Sequence, residues 1–182
     1  MTSARLSDGP QRVYIAGKIS KCDFRHHIVA GLKDHPFDQT ELVTPGFIYV
    51  GPFFVSCDHG CYHGNGTHGA TNELGCEESF EHSRLDVICK NNAAIDSADL
   101  VFAYITATDC YGTLVEIGRV TSKLFRPRLA IAFAPGLPVD DFWYGAMQAD
   151  TLYYNVRECC LNGLMVAELN TLRVKDANLK ES

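Results

Sequence analysis

Short apolar segments alternate with helical patterns along most of this chain, and this rhythm restricts the fold more than any other feature. Five segments are predicted as strands: Arg12–Ile19, Glu41–Thr44, Asp99–Ile105, Leu129–Ala134 and Thr151–Tyr154. Helical patterns separate or follow them at about 23–34, 77–97, 113–124, 141–147 and 156–172. Such alternation is typical of a parallel sheet with crossover helices. We therefore expect an α/β fold with a doubly wound, five-stranded parallel sheet, whose ligands bind beyond the carboxyl ends of the strands.

The third predicted strand reads Asp-Leu-Val-Phe-Ala-Tyr-Ile at 99–105 and is almost entirely apolar. Strands that helices cover on both faces have this composition, so we place this strand at the centre of the sheet. The helix at 77–97 is predicted to bury one stripe of side chains. That stripe consists of Phe80, Leu85, Ile88 and Ile95.

The composition limits the classes of partner. The chain has 182 residues, 46% of them hydrophobic, which suits one domain. Its formal net charge is −6, whereas non-specific binding to a nucleic-acid polymer requires a basic stripe. No apolar run approaches the ~20 residues of a membrane-spanning helix. We therefore expect neither a nucleic-acid polymer nor a membrane as a partner.

The first twelve residues lack the apolar core of a secretory signal, which favours a cytoplasmic location. The eight cysteines are then expected to be thiols in a reducing compartment. Among them, Cys159 and Cys160 are predicted on the last helix as small, buried apolar residues.

Residues 47–76 interrupt the alternation and form a predicted Gly/His/Cys-rich insert after the second strand. A segment of this length without regular structure in a compact domain is usually functional or disordered. We favour a substrate loop that folds over a bound ligand. The side chains expected to contact that ligand are Phe53, Phe54, Asp58, His59, Tyr62 and His63.

The same insert also allows a metal-binding interpretation. Five of its side chains are of types that bind zinc: Cys57, His59, Cys61, His63 and His68. Their spacing matches none of the usual zinc-knuckle patterns. The segment 64–69 spells G-x-G-x-x-G, but it neither follows a predicted strand nor opens a clear helix, so a dinucleotide site lacks its structural context.

Two carboxylates follow the third strand, in the sequence Thr-Asp-Cys-Tyr-Gly-Thr-Leu-Val-Glu-Ile-Gly at 108–118. Asp109 is predicted in the loop and Glu116 in the first turn of the next helix, whose N-terminus would help to keep Glu116 ionised. A nearby pair of carboxylates can act at an anomeric carbon, one as nucleophile and one in proton transfer. Gly112 would let the backbone approach a ligand closely. Alternatively, Thr113 and Glu116 form a capping box that only closes the start of the helix.

Three segments together carry a resemblance to a known family. They are Tyr14–Gly17 in the first strand, Ile95–Asp99 leading into the third strand, and the pattern Asp-x-x-Gly-Thr-x-x-Glu-Ile-Gly at 109–118. With them the chain resembles the nucleoside 2-deoxyribosyltransferases and their N-glycosidase relatives, over about residues 12–155 without the insert. The resemblance implies one flavodoxin/Rossmann-like domain over 1–182, and we expect the tail at 174–182 to be frayed.

The resemblance also implies a chemistry. Glu116 would attack C1′ of the sugar while the base departs, and water or a second base would then take the sugar. Asp109 would hold the sugar hydroxyls or the nucleophile, and Tyr14 would orient the Glu116 carboxylate. Gly17 would let the sugar sit close to the first strand. No metal or organic cofactor is implied.

The chain departs from the family pattern in two places. Asn91 stands where the family has an aspartate that assists the leaving base, and an amide cannot donate a carboxylic proton. A histidine of the insert is an alternative proton donor, since its ordinary pKa is near neutrality. The interval from Asp109 to Glu116 is one residue longer than the commoner spacing. Tyr111, within that interval, either covers the base or packs against the loop.

Two further regions have predicted roles. Lys18 and Ser20 follow the first strand at the start of a helix, where relatives that cleave monophosphates bind a 5′-phosphate, although a lysine there is commonly just solvated. Near the chain's last strand, Gln148 and Asp150 are candidates for a polar side chain lent to a neighbouring subunit's site. The resemblance therefore implies a homodimer or a higher homo-oligomer, with the aromatic residues at 143–144 either at that interface or in the core.

These observations predict an enzyme that cleaves or exchanges the N-glycosidic bond of a nucleoside or nucleoside 5′-monophosphate. The predicted intermediate is a covalent glycosyl-Glu116 ester. A non-catalytic nucleotide-binding or sensing module is a second interpretation. A metal-binding protein built on the 57–68 cluster is a third.

Overall fold

The structure is a computed structural model, and it describes residues 9–19, 24–32, 39–52, 84–122 and 126–180. Over these ranges the chain forms six strands and five α-helices. The strands are β1 (Arg12–Gly17), β2 (Leu42–Val43), β3 (Ile48–Gly51), β4 (Leu100–Ile105), β5 (Arg128–Phe133) and β6 (Thr151–Tyr153). The helices are α1 (Arg25–Ile28), α2 (Arg84–Ser97), α3 (Tyr111–Thr121), α4 (Trp143–Ala146) and α5 (Leu161–Lys180). One-turn 3₁₀ helices at Val139–Phe142 and Glu158–Cys160 precede α4 and α5.

The six strands form one mixed sheet in the order β2-β3-β1-β4-β5-β6. Only the β2–β3 pair is antiparallel. Counted along the chain, the five parallel strands have the spatial order 2-1-3-4-5, which is the flavodoxin-like order. The direction of winding reverses between β1 and β4, and ligands of such sheets bind beyond the carboxyl ends of the strands at this point.

The predicted strand count is wrong by one. The second predicted strand is the antiparallel edge strand β2, whereas the parallel neighbour of β1 is β3, which lies inside the segment assigned to the insert. A tight turn at Pro45-Gly46 joins β2 and β3, and the Thr44 amide donates to the Phe47 carbonyl across 2.9 Å. Pro-Gly is a turn signal between short apolar runs. The dense glycines that follow residue 51 obscured a strand of only four residues.

The central strand is confirmed, because all six residues of β4 are buried and it pairs with both β1 and β5. Helices cover both faces of the sheet. One face packs against the α1 region and α5 through residues such as Phe24 and Leu161, and the other packs against α2, α3 and α4 through Ile95 and Ile117. Side chains alternate along β1, which places Tyr14 on the face covered by α2 and α3.

The predicted buried stripe of α2 is wrong in part. Ile95 is fully buried, but Leu85 and Ile88 are exposed, and Val87 is buried instead. The inward face follows the helical period through the buried Val87 and the half-buried Asn91 and Ala94, of which the last two are too polar or too small to mark it in the sequence. Phe80 lies outside the described residues.

The last helix is longer than predicted. α5 begins at Leu161 and continues to Lys180, so it includes most of the segment expected to be a frayed tail. Across the described ranges, no helix is both long and apolar enough to cross a membrane.

Candidate active site

Tyr14 and Glu116 meet on the face of the sheet that α2 and α3 cover. The Tyr14 hydroxyl donates a hydrogen bond to Oε1 of Glu116 from a fully buried position in β1. Burial, together with the nearby Glu116 charge, holds the pKa of Tyr14 well above its usual value, so this hydroxyl stays protonated and acts as the donor. The structure thus brings together two residues that are far apart in the sequence.

Gly51, the last residue of β3, makes room for the Tyr14 ring. Its φ is +149°, and a Cβ at this position would lie 3.2 Å from Cε2 of Tyr14. That distance is too short for an ordinary contact unless the ring moves. The absence of a side chain at Gly51 therefore lets the ring lie where its hydroxyl reaches Glu116.

The capping-box interpretation of Glu116 is wrong. α3 begins at Tyr111 after Cys110, so Thr113 is the third helical residue and Glu116 lies in the second turn rather than the first. No side chain caps this helix end. The expected stabilisation of a Glu116 charge by the helix N-terminus also fails, because that effect fades within the first turn.

Glu116 is partly buried, and its environment acts on its protonation in opposite directions. Burial raises the pKa of this carboxyl from 4.5 to about 7, against the lowering effects of the Tyr14 hydrogen bond and the Arg25 charge. Both forms of the group are then present near neutrality. A carboxyl whose pKa is shifted in this way is a candidate catalytic group.

Arg25 is a fully buried cation that the sequence reasoning did not identify. Its Nε and Nη2 donate to the carbonyl oxygens of Ile15 and Gly17 across 2.7 and 2.6 Å, and its guanidinium lies over the Phe24 ring. It therefore fixes the carboxyl end of β1. The only available sequence signal was an arginine next to the apolar residues of the first helix, which is equally typical of a surface residue.

Lys18 and Asp109 face each other beyond the ends of β1 and β4. Lys18 Nζ lies 2.6 Å from both carboxylate oxygens of Asp109, and both side chains are substantially exposed. The hydrogen bond from Lys18 lowers the pKa of Asp109, which is therefore ionised at neutral pH. Asp109 contacts Lys18 rather than Glu116 in this arrangement.

Asn91 connects Glu116 to a cavity. Its Nδ2 lies 3.4 Å from Oε1 of Glu116, a long contact, and the same side chain lines a cavity of about 260 Å³. One wall of the cavity is a face of α2, and the other is formed by residues 39–40 and the end of β3. Arg12 also lines it, and its buried Nε has no hydrogen-bond partner within the part of the chain that the structure describes. Pockets for small ligands combine an apolar lining with a few such polar groups.

Gly17 has a packing role in β1. A Cβ on this residue would lie 2.8 Å from two ring carbons of Phe24 and 3.0 Å from the Tyr104 carbonyl oxygen. Neighbouring protein atoms thus explain the glycine without a ligand. Tyr111, in contrast, is 73% exposed at the first position of α3, so its ring is accessible to a ligand.

Substitution of Gly112 tests whether the backbone at this position lies close to a bound ligand. A Cβ there would meet no atom within 4 Å, and the same is true of Gly118 in the exposed middle of α3. Gly112→Ala should therefore keep or raise the melting temperature, because alanine fits and favours a helix. We expect it to raise KM several-fold, while the matched variant Gly118→Ala leaves KM unchanged. An unchanged KM in Gly112→Ala would remove the close approach at this residue.

Thr113 has a feature that its sequence pattern, a possible helix cap, does not indicate. Its side chain is buried, and its Oγ1 has no hydrogen-bond partner among the described residues. Residues three apart on a helix are neighbours, so Thr113 and Glu116 lie on the same side of α3. No spacing rule distinguishes such an unpaired hydroxyl from an ordinary helical threonine.

The residues predicted to serve a neighbouring subunit are engaged within their own chain. Asp150 forms two hydrogen bonds with Arg126, of 2.7 and 3.0 Å, and accepts a third from the Leu129 amide. Gln148 donates to the Tyr144 carbonyl one turn earlier. The prediction that the aromatic residues at 143–144 lie in the core, one of two alternatives, is wrong, because Trp143 and Tyr144 are 63% and 69% exposed.

The remaining candidates lie outside the described residues. They are Ser20, Phe53, Phe54, Asp58, His59, Tyr62 and His63, together with the possible zinc ligands Cys57, Cys61 and His68. Within the ranges that the structure does describe, no three His, Cys, Asp or Glu side chains are grouped so as to hold a metal ion.

Comparison with known proteins does not assign this site to a family. No protein-family model, no curated protein and no solved structure matches the chain.

Proposed function

We propose that this protein cleaves or exchanges the N-glycosidic bond of a nucleoside or nucleoside 5′-monophosphate, with Glu116 as the nucleophile. The hydrogen bond from Tyr14 to Glu116 is the observation that carries the proposal. It holds a partly buried carboxyl of shifted pKa beside the point where the winding of the sheet reverses. The resemblance of the 109–118 segment to nucleoside 2-deoxyribosyltransferases supports the same assignment.

The contacts of Glu116 indicate which oxygen attacks. Tyr14 and Asn91 both contact Oε1, so Oε2 is the oxygen directed to the substrate. In the first step Oε2 forms a bond to C1′, the bond from C1′ to the base nitrogen breaks, and its electron pair leaves with the base. The Tyr14 hydrogen bond keeps the carboxylate oriented during this displacement.

In the second step an acceptor attacks C1′ as the bond from C1′ to Oε2 breaks, which regenerates the carboxylate, and the proton of the acceptor returns to the group that protonated the leaving base. Water as acceptor gives the free sugar, and a second base gives a new nucleoside. Two displacements at the same carbon retain its configuration. Hydrolase and transferase thus share every residue described above and differ only in the acceptor.

The Lys18–Asp109 pair supports recognition of the sugar. The pair has no net charge, and its carboxylate can accept hydrogen bonds from sugar hydroxyls. A 5′-phosphate would have to compete with Asp109 for the Lys18 ammonium, which binds both carboxylate oxygens. Within the described residues this favours an uncharged nucleoside over the monophosphate.

The departing base is proposed to lie in the cavity beside α2, because Asn91 both lines that cavity and contacts Glu116. The Asn91 amide can hydrogen-bond a base edge, but it cannot supply an acidic proton. A histidine of the 47–76 insert is the proposed donor to the leaving nitrogen. We further propose a homo-oligomer, supported by the exposed side chains of Trp143, Tyr144 and Met147 on and just after α4.

Tyr14→Phe tests the orienting role of the hydroxyl. Loss of a hydrogen bond to a charged group costs about 1.5–3 kcal/mol, so kcat should fall by about 10- to 100-fold. Because the Tyr14 bond lowers the Glu116 pKa, its removal should also shift the acidic limb of the kcat/KM profile to higher pH. Tyr154→Phe is the matched control, since this tyrosine is 54% exposed. An acidic limb at the same pH in Tyr14→Phe and the parent would contradict the orienting role.

A chromatographic assay tests the function itself. The purified protein is incubated with a panel of nucleosides and 5′-monophosphates, each with and without a second free base. Release of base or formation of a new nucleoside is expected and separates hydrolysis from exchange. If no product forms while a nucleotide raises the melting temperature, the protein is a binding module instead. If neither changes, the resemblance extends only to the fold.

A further inference from the structure

Two adjacent thiols lie exposed at the carboxyl-end edge of the sheet. Cys159 and Cys160 belong to the 3₁₀ turn that follows β6, and their sulfur atoms are 3.9 Å apart. Both residues are exposed, so the expectation that they are small buried residues of the last helix is wrong. The turn places them before α5 begins to pack on the sheet at Leu161.

The backbone on either side holds this turn in place. The Val156 amide donates to the Phe133 carbonyl across 2.8 Å, and the Val156 carbonyl accepts a 2.9 Å bond from the Tyr104 hydroxyl. Within the turn, the Cys160 amide donates to the Arg157 carbonyl across 2.9 Å. The two thiols therefore project from a fixed segment rather than from a free loop end.

Direct oxidation of this pair to a disulfide is opposed by geometry. Consecutive Cα atoms lie about 3.8 Å apart. Unstrained disulfides join Cα atoms about 4.4–6.8 Å apart. The Cys159 thiol also raises the pKa of Cys160, through a hydrogen bond first and charge repulsion second. Cys160 is thus held as a neutral thiol, which is a poor nucleophile for closing a bond to its neighbour.

The distance between the sulfur atoms suits a single bridging atom. Two sulfurs bound at about 2.3 Å to one tetrahedral centre lie about 3.8 Å apart. The narrower angle at a pyramidal trivalent centre requires about 3.4 Å, which two exposed thiols reach by a small rotation of their side chains. A zinc ion would need further ligands, and the described residues place no third His, Cys, Asp or Glu beside this pair to form such a group. An atom that needs only two protein thiols as ligands fits this pair better than zinc does. Trivalent arsenic that carries one organic substituent is such an atom.

We propose that Cys159 and Cys160 form a dithiol site that captures trivalent organoarsenicals. An arsenical R–As(OH)₂ condenses with the two thiols to form two As–S bonds, and the two As–O bonds break as two water molecules leave. The thiol protons depart in that water, and arsenic stays trivalent, so no oxidant or reductant is required. This site is independent of the proposed glycosidic chemistry.

Its location also separates it from Glu116. The Tyr104 ring, whose hydroxyl anchors the turn, packs edge-on against Phe24 on the face of the sheet covered by the α1 region and α5. Tyr14, the partner of Glu116, is buried on the opposite face. Binding of an arsenical to the two thiols can therefore be measured directly, independently of any enzymatic turnover at Glu116.

Phenylarsine oxide is the probe, applied to the full chain and followed by a wash with excess monothiol and peptide mapping by mass spectrometry. The parent should retain one phenylarsenic group on the peptide that contains residues 159–160, and a dithiol such as 2,3-dimercaptopropanol should remove it. Cys159→Ser and Cys160→Ser should each lose the group in the monothiol wash, because one As–S bond exchanges readily. Cys89→Ser is the matched control at an exposed thiol outside the pair and should keep it.

Two results would overturn the site. One is a parent whose 159–160 peptide carries no arsenic after the monothiol wash. The other is a single serine variant at either position that retains the group as well as the parent does. Circular dichroism of each variant checks that the exposed substitutions leave the fold unchanged.

Discussion

Glu116→Gln is expected to abolish turnover and, above pH 7, to make the protein more stable than its parent. Removal of a nucleophile should cost at least about 10³-fold in kcat. The stability gain follows from linkage. The folded carboxyl has a pKa of about 7 against an ordinary value of 4.5, so between these values the folded state holds a proton that the unfolded state releases. Stability therefore falls as pH rises through this window, and the loss is complete above it.

A glutamine has no proton to lose, so it avoids this penalty while still accepting the Tyr14 hydrogen bond. The free energy of unfolding of Glu116→Gln should exceed that of the parent by up to about 3 kcal/mol at pH 8. The gain should disappear below pH 4.5, the ordinary pKa of the group. Denaturant titrations at the two pH values measure it, with Glu158→Gln as an exposed control. A variant that is less stable than its parent at pH 8 would show that the Glu116 charge supports the fold.

Glu168→Ala is expected to produce the largest loss of stability. Glu168 is 2% exposed on α5 and contacts Nε of Arg128, while its other oxygen accepts a 2.6 Å bond from the Tyr153 hydroxyl. Arg128 also donates to Thr151 Oγ1 across 2.7 Å, so this cluster ties α5 to β5 and β6. Removal of one partner from a buried ion pair leaves an uncompensated charge, which costs about 3–5 kcal/mol.

Two matched variants separate the buried charge from the interaction itself. Arg119→Gln breaks the exposed pair with Asp96 and should cost less than about 1 kcal/mol. The double variant Glu168→Leu/Arg128→Met removes both buried charges and should recover most of the stability lost in Glu168→Ala. Chemical denaturation measures all three. A double variant as unstable as Glu168→Ala would mean that packing rather than charge determines the cost.

The fold was predictable where the hydrophobic pattern of a segment directly reflects how that segment is buried. β4 is apolar at every position because it is buried on both faces, and its central place could be inferred from that alone. β3 was not predicted, because four residues between a Pro-Gly turn and a glycine-rich segment resemble a loop. The inward face of α2 was also predicted wrongly, because its residues are not all large and apolar. Asn91 and Ala94 lie on that face, whereas Leu85 and Ile88 have the spacing of buried residues but are exposed.

The candidate site was predictable only in part. The approach of Tyr14 to Glu116 joins residues 102 positions apart, and only the family resemblance connected them in advance. The pattern Thr113-x-x-Glu116 fits a capping box, but the helix begins earlier, at Tyr111, which no residue of the pattern indicates. Arg25 could not be identified, because its partners are backbone carbonyls of β1 that no side-chain pattern encodes.

Detection of a sugar on residue 116 tests the central claim most directly. A nucleoside that the protein turns over is mixed with it, the reaction is quenched in acid during the steady state, and the peptides are mapped by mass spectrometry. We predict one pentosyl group on Glu116 in the parent, and none on residue 116 in Glu116→Gln. Base release with the sugar attached to another side chain, or at an undiminished rate in Glu116→Gln, would contradict the assignment of Glu116 as the nucleophile.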